Sequence, residues 1–167
     1  MNSLAIRIND EYQMEELQHC HTTILADEIE RDIEGGARAL GVTAAGVNLH
    51  DCVPALVGAD GYSWVLLSGS PAEICGVLCV EKGAFDTYEH NLAAWVKPSH
   101  RRNGLFVGAT CKAVELLKDY GVNQIEIKVD KGNLPTLAAI DVLAQELDVD
   151  IVRDNAEYKQ WVINLGG

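Results

Sequence analysis

The chain has 167 residues, 48% of them hydrophobic and 23% charged, which suits one domain with a sizeable core. Thirteen Lys and Arg stand against 25 Asp and Glu, a formal net charge of −12. A surface of that sign argues against nucleic acid or an anionic membrane as partner and mildly favours a cationic substrate.

No apolar run reaches the ~18 residues of a membrane span, and no charged-then-apolar leader opens the chain. The cysteines at 20, 52, 75, 79 and 111 are odd in number and sit mostly in apolar runs. They read as reduced, buried thiols of a cytoplasmic protein.

Ser3 to Ile8 alternates loosely and predicts a first strand. Asn9 and Asp10 predict a helix start, Asp10 with Gln13 resembling a capping box. Met14, Leu17, His21, Ile24, Leu25 and Ile29 then keep helical spacing. His21 on that face reads as a core-edge histidine. Glu15, Glu16, Asp27, Glu28, Glu30, Asp32 and Glu34 read as a solvated face, with a pocket for an amine as the lesser reading. His19-Cys20-His21 has no second ligand cluster at zinc spacing, so no metal is expected. Gly35-Gly36 breaks the pattern, and a short helical piece resumes to Leu40 with Gly41 closing it. Val42 to Asp60 shows no sustained period.

Tyr62 to Ser68 predicts a strand, Gly69 to Ala72 a turn, and Glu73 to Val80 the next strand, with Cys75 and Cys79 on one face. Lys82-Gly83 turns again. Phe85 to Val96 is long for a single strand, and Pro98 stops it because proline has no N–H for a ladder. A polar turn, Ser99 to Gly104, leads to Phe106, Ala109, Ala113, Leu116, Leu117 and Tyr120. Their three- and four-residue steps mark one face of a helix, which Gly121 ends. The start of such a helix binds anions, because its first N–H groups are unpaired and its dipole is positive there. Gly104 lets a ligand approach the backbone, and Arg101 and Arg102 can add charge-assisted bonds to phosphate. A solvated turn is the alternative, since a short glycine motif is weak alone. Gln124 to Val129 alternates as a buried parallel strand. Asn133 caps a further helix with Pro135 in its first turn. Val149 to Arg153 and Lys159 to Leu165 close the chain as a strand pair that could mediate a homodimer.

The stretch Val96-Lys97-Pro98, then Arg101-Arg102-Asn103-Gly104-Leu105-Phe106, then helix, Gly121, strand and Asn133, resembles the acyl-CoA-binding motif of the GNAT acetyltransferase superfamily. Phe106 stands where that family has a second small residue. The resemblance implies one GNAT-like α/β domain over residues 1–167. Its sheet would be mixed and mostly antiparallel, flanked by helices and splayed between the fourth and fifth strands. It implies transfer of an acetyl group from acetyl-CoA to a primary amine of a small molecule or protein. The alternative is a catalytically silent acyl-CoA-binding or assembly module. The phosphate cradle would come from the N–H groups of Asn103, Gly104, Leu105, Phe106 and Val107, under Arg101 and Arg102. A strand bulge would open a gap for the pantetheine arm near Ala93, Ala94 and Trp95, with Asn133 touching the arm. A backbone N–H near Trp95 or Val96 would polarise the thioester. Eleven residues before Arg101, where the family commonly carries a glutamate, stands His90, and a neutral imidazole can take a proton directly; Glu89 is second. The family's acid, a tyrosine, falls on Ile140, leaving Tyr158, Tyr120 and Cys111 as substitutes. The region 42 to 60 would shape the acceptor site.

Overall fold

The computed structural model describes residues 4–39, 48–58, 60–83 and 88–166. A hairpin comes first: β1 (Ile6–Arg7) pairs antiparallel with β2 (Tyr12–Glu16), Ile6 opposite Met14. Asn9 makes the turn, its Oδ1 accepting from the N–H groups of Glu11 and Tyr12, each at 2.9 Å. This corrects the helix start expected at Asn9 and Asp10. Tyr12 and Met14 are buried and Gln13 and Glu15 half-buried, a two-residue period that runs directly into the helix beyond it.

The helix, α1 (His19–Glu30), begins only after Gln18, whose N–H donates to Nδ1 of His21 at 3.1 Å. His21 therefore caps the helix, and its Nε2 lies 3.0 Å from Oε1 of Glu15. α2 (Ile33–Ala39) passes straight through Gly35 and Gly36, where a break was expected. A Cβ on Gly36 would stand 2.1 Å from Cγ2 of Ile29, so the glycine is what lets α2 close on α1. Leu40, Gly41 and much of the 42 to 60 stretch lie outside the described residues. Of that stretch the structure describes the short α3 (Leu49–Cys52) and a 3-10 turn, Pro54–Leu56.

β3 (Gly61–Ser68), β4 (Glu73–Lys82) and β5 (His90–Val96) form an antiparallel meander. β5 begins at His90, later than the expected Phe85, and residues 84–87 lie outside the described ones. The β3–β4 register slips between Leu66 and Leu67, leaving Cys75 as the extra residue of a bulge. Cys75 consequently packs on one face of the sheet and Cys79 on the other. That corrects their expected shared face, because a one-residue slip turns the alternation over.

α4 (Leu105–Lys118) carries the chain to β6 (Gln124–Asp130), and α5 (Leu134–Glu146) leads to the hairpin β7 (Asp148–Asp154) and β8 (Tyr158–Asn164). The strands form one sheet in the order β1-β2-β3-β4-β5-β6-β8-β7. Every described pairing in it is antiparallel except β5 with β6. α4 and α5 pack on one face, against Leu92, Ile125, Ile127 and Trp161. α1 and α3 pack on the other, against Val65, Val77, Cys79 and Trp95. Apart from the hairpin strand β2, which moves the count on by one, this is the expected mixed sheet.

Candidate functional site

β4 and β5 stay in register from Gly76 opposite Val96 to Lys82 opposite His90. β5 and β6 are in register at one pair, Asn91 with Glu126, and part beyond it. The bulge expected within β5 is absent from its pairing with β4; the bulge lies one strand away, at Cys75. At the two ends of β5, Lys97 N–H donates to Cys75 O at 2.8 Å and Gly83 N–H to Glu89 O at 3.0 Å. Antiparallel ladders alternate, so the odd-numbered residues of β5 bond to β4 and the even-numbered ones turn their peptide groups toward β6. With β6 leaning away, the N–H groups of Ala94 and Val96 and the carbonyl of Ala94 face a gap. Of the two N–H groups expected near a reacting carbonyl, Trp95's is spent on β4 and Val96's is left.

The chain leaves β5 through the 3-10 turn Pro98–His100 and reaches Gly104, at φ 72°, ahead of α4. Glycine adopts that left-handed conformation cheaply. Arg102 holds φ 65° as well, at a cost of about 1 kcal/mol or more for a residue with a side chain. The first bond of α4 runs from Gly108 N–H to Gly104 O at 2.9 Å. The N–H groups of Gly104, Leu105, Phe106 and Val107 therefore have no acceptor within the helix. Tyr12 props the loop from beneath. Its hydroxyl lies 3.1 Å from Nδ1 of His100 and accepts from Nδ2 of Asn103 at 3.1 Å. Burial raises the Tyr12 phenol, which keeps that hydroxyl protonated. Lys97 reaches Glu73 at 2.6 Å and Glu28 at 3.2 Å, and its ammonium holds the Glu73 carboxyl below the usual range.

The expected site residues divide into two groups. Arg101 Nε donates to Val96 O at 2.8 Å, and its guanidinium pairs with Asp32, which also accepts from Trp95 Nε1 at 2.9 Å. Arg101 thus ties the loop to the α1–α2 corner. Arg102 is exposed and makes no hydrogen bond or ion pair among the described residues. Leu105 is buried, while Phe106 and Val107 are half-buried and pack against the α4 face of the core. Asn133 accepts from Thr136 N–H at 3.4 Å and caps α5. His90 and Glu89 lie at the opposite end of β5, about 20 Å along the strand from Val96. They line a cleft of about 330 Å³ with Tyr62, Lys82 and Tyr120, so the structure does not bring them to the loop.

Ile140, at the position of the family's missing tyrosine, is fully buried core, and of the substitute proton donors Tyr120 lines the far cleft. Burial pushes the Cys111 thiol up. Tyr158 accepts from Nη1 of Arg153 at 2.9 Å, which holds its phenol below the usual range, and Nζ of Lys128 sits 4.1 Å from its ring centre. Asp27, Glu30 and His50 each bring a donor atom within 4.8 Å of the others, all exposed. With His50 Nε2 at 3.2 Å from Asp27, they form a surface contact between α1 and α3.

Two residues not singled out in the sequence stand where the strands part. Glu126 and Asn91 are 1% and 8% exposed. Both point to the α1–α3 side, because Ile125 and Ile127 occupy the α4 side and Trp95 shares the parity of Asn91. Gln160 bonds the Glu126 carboxyl, yet Glu126 Oε2 and Asn91 Oδ1 have no partner among the described residues. A buried polar atom left unpaired costs about 1–3 kcal/mol. Burial also raises the Glu126 carboxyl above its usual value. The sequence hides this residue: Gln124, Lys128 and Asp130 on the same face of β6 are exposed, and only Glu126 is covered.

A mixed sheet split at its one parallel pair, beside a glycine loop and a bare helix start, defines a class of α/β protein. The chain has the fold of the GNAT acetyltransferases. It is similar to a GNAT-family acetyltransferase from Bacillus anthracis, with a TM-score of 0.72 and 10% identity over 97% of this chain and 99% of that one. It is similar also to a ribosomal-protein-S5-alanine acetyltransferase from Vibrio fischeri (TM-score 0.68, 12% identity, 96% and 97% covered). A third, ribosomal L7/L12 alpha-N-protein acetyltransferase in complex with coenzyme A, gives a TM-score of 0.69 at 10% identity, with 96% of each chain covered. No protein-family model and no curated protein matches the sequence. At these identities the likeness is one of fold.

Proposed function

We propose that this protein transfers an acetyl group from acetyl-CoA to a primary amine. The observation that carries this reading is the conjunction at the end of β5. Peptide groups of Ala94 and Val96 with no strand partner open beside a helix start whose N–H groups are bare. The pantetheine arm carries amides that can extend an open strand edge, and a pyrophosphate suits a helix N-terminus. Arg102, extended into solvent, gives that pyrophosphate a cation, while Arg101 keeps the loop in place through Asp32. Val96 N–H is aimed to stabilise the thioester oxygen as it gains charge. The net charge of −12 favours an ammonium acceptor, on a small molecule or a protein.

A catalytically silent acyl-CoA-binding module is the second reading. It is favoured by Ile140, a core residue where the family's tyrosine acid would stand. A thiol-release assay separates the two, with acetyl-CoA and a panel of polyamines, lysine peptides and peptides with free N-termini. The transferase releases CoA only when a particular amine is present. Thermal stabilisation by CoA with no release from any amine supports the silent module, and the absence of both effects contradicts both readings.

A further inference from the structure

We infer that the cleft at the far end of β5 binds a primary ammonium on a short hydrocarbon body, at a site separate from the proposed transfer centre. The cleft measures about 330 Å³ and lies where β3 begins, β4 ends and β5 begins. That volume is within the range of small-molecule sites. Part of its lining is a cross-strand row. Lys82 stands opposite His90, and Lys82 N–H donates to Asp60 O at 3.0 Å, so Asp60, Lys82 and His90 follow one another across the ends of the strands. The row lies on the α4 face of the sheet, beside the row of Tyr62, Val80 and Leu92.

His90 is what calls for a ligand. It lines the cleft yet is only 9% exposed, and its ring bonds no described residue. A neutral imidazole carries one N–H and one bare nitrogen. Left without a partner at that depth, such a group is costly, and a donor brought by a ligand satisfies the bare nitrogen.

The rest of the lining selects for positive charge. Asp60 and Glu89 are its carboxylates; Lys82 is its cation, and Glu89 answers it at 3.5 Å. The Asp60 side chain makes no hydrogen bond or ion pair among the described residues. One carboxylate is left over, so a single positive charge brings the lining to neutrality. α4 ends at Lys118 and turns the negative end of its dipole toward Tyr120 and Gly121, which form one wall. Tyr62 lies nearly parallel to Trp64, 12° between the planes, and the exposed Tyr120 tilts against it with ring centres 5.6 Å apart. An ammonium within about 6 Å of a ring centre is drawn to the face, and hydrocarbon packs there too. An anion meets two carboxylates and is repelled. A metal ion finds no ligand set, because among the described residues Asp60, Glu89 and His90 do not bring donor atoms together as Asp27, Glu30 and His50 do. His90 stands about 20 Å along the strand from Val96, too far for an amine held here to meet a thioester there. The cleft therefore binds without reacting, and it prefers a charged amine to the uncharged acetamide.

The test is an NMR titration at constant pH and ionic strength, following the imidazole signal that His90→Gln removes. Butylammonium should move that signal along a saturating curve. Butyrate, 1-butanol and N-butylacetamide at the same concentrations should not. Asp60→Asn and Tyr62→Leu should each weaken butylammonium about threefold or more. Neither substitution should alter the thermal shift given by CoA. A Gly-Lys-Gly peptide separates two sources of the ammonium: a response as strong as butylammonium's assigns the cleft to lysine side chains of a protein, and a weaker one assigns it to a free small amine. No movement of the signal with butylammonium in large excess overturns the inference. So does an equal response to butyrate or 1-butanol, or wild-type affinity in both Asp60→Asn and Tyr62→Leu. A CoA response changed by Asp60→Asn overturns the separateness of the site. The titration needs no turnover, so its outcome is independent of the transferase reading.

Discussion

At Glu126 a carboxyl is carried into the protein with one oxygen unpaired among the described residues, and stability must answer for it. Its folded value lies above the usual 4.5, so the folded chain holds that proton more tightly than the unfolded chain does. The stabilising contribution is complete below the usual value and is lost as pH rises through the folded value. Glu126→Gln should therefore raise the urea midpoint at pH 8 and change it little near pH 4. An equal shift at both pH values would mean the carboxyl does not titrate differently on folding. The sequence could not announce this residue. In the run Gln124-Ile125-Glu126-Ile127-Lys128 it occupies the polar side of an alternating strand, and only the pairing with Asn91 reveals that the side is covered. The arginines were legible as charge on the loop. Their division of labour was not, because it depends on Asp32, 69 residues before Arg101.

Among the elements, Leu92 to Tyr120 was the most readable, since its signals are local: an apolar run, Pro98, Gly104 and a change of period. The β1–β2 hairpin was not, because Tyr12 to Glu16 alternates for only five residues before α1 takes over in compatible phase. The bulge at Cys75 exists only relative to β3, and the passage of α2 through Gly36 only relative to Ile29. The hairpin has a task in the site. Tyr12 reaches from β2 to His100 and Asn103 and braces the loop before α4. Removing its hydroxyl by Tyr12→Phe leaves those partners short of one bond each and should cost about 1–2 kcal/mol in chemical denaturation. It should also weaken CoA binding several-fold, with no change in which amine is preferred. Unchanged affinity would show that the loop holds its shape without the brace.

Across the whole molecule, two apolar cores share one continuous sheet, and β3, β4 and β5 give side chains to both sides of it. Neither core can lose its sheet without exposing the other, so residues 1–167 are expected to unfold as one unit. Calorimetric and van't Hoff enthalpies should agree, and near- and far-ultraviolet dichroism should give one midpoint. Two separated transitions would contradict this. The fold class was legible because the order of elements around the loop carries it. The acceptor was not, since the region expected to shape its site, 42 to 60, has no period to read. The overall charge of −12 repels a polyanionic cofactor at long range, so its binding must come from local groups. In the proposed reading those groups are the N–H row at the start of α4 and the guanidinium of Arg102, which makes no ion pair among the described residues. Isothermal titration of wild type and Arg102→Glu with CoA addresses them most directly. The wild type should give saturable heat at one site per chain, and the variant should bind at least about tenfold more weakly with its melting temperature little changed. No heat from wild type up to millimolar CoA, or equal affinity in both proteins, would contradict a pyrophosphate held at the start of α4.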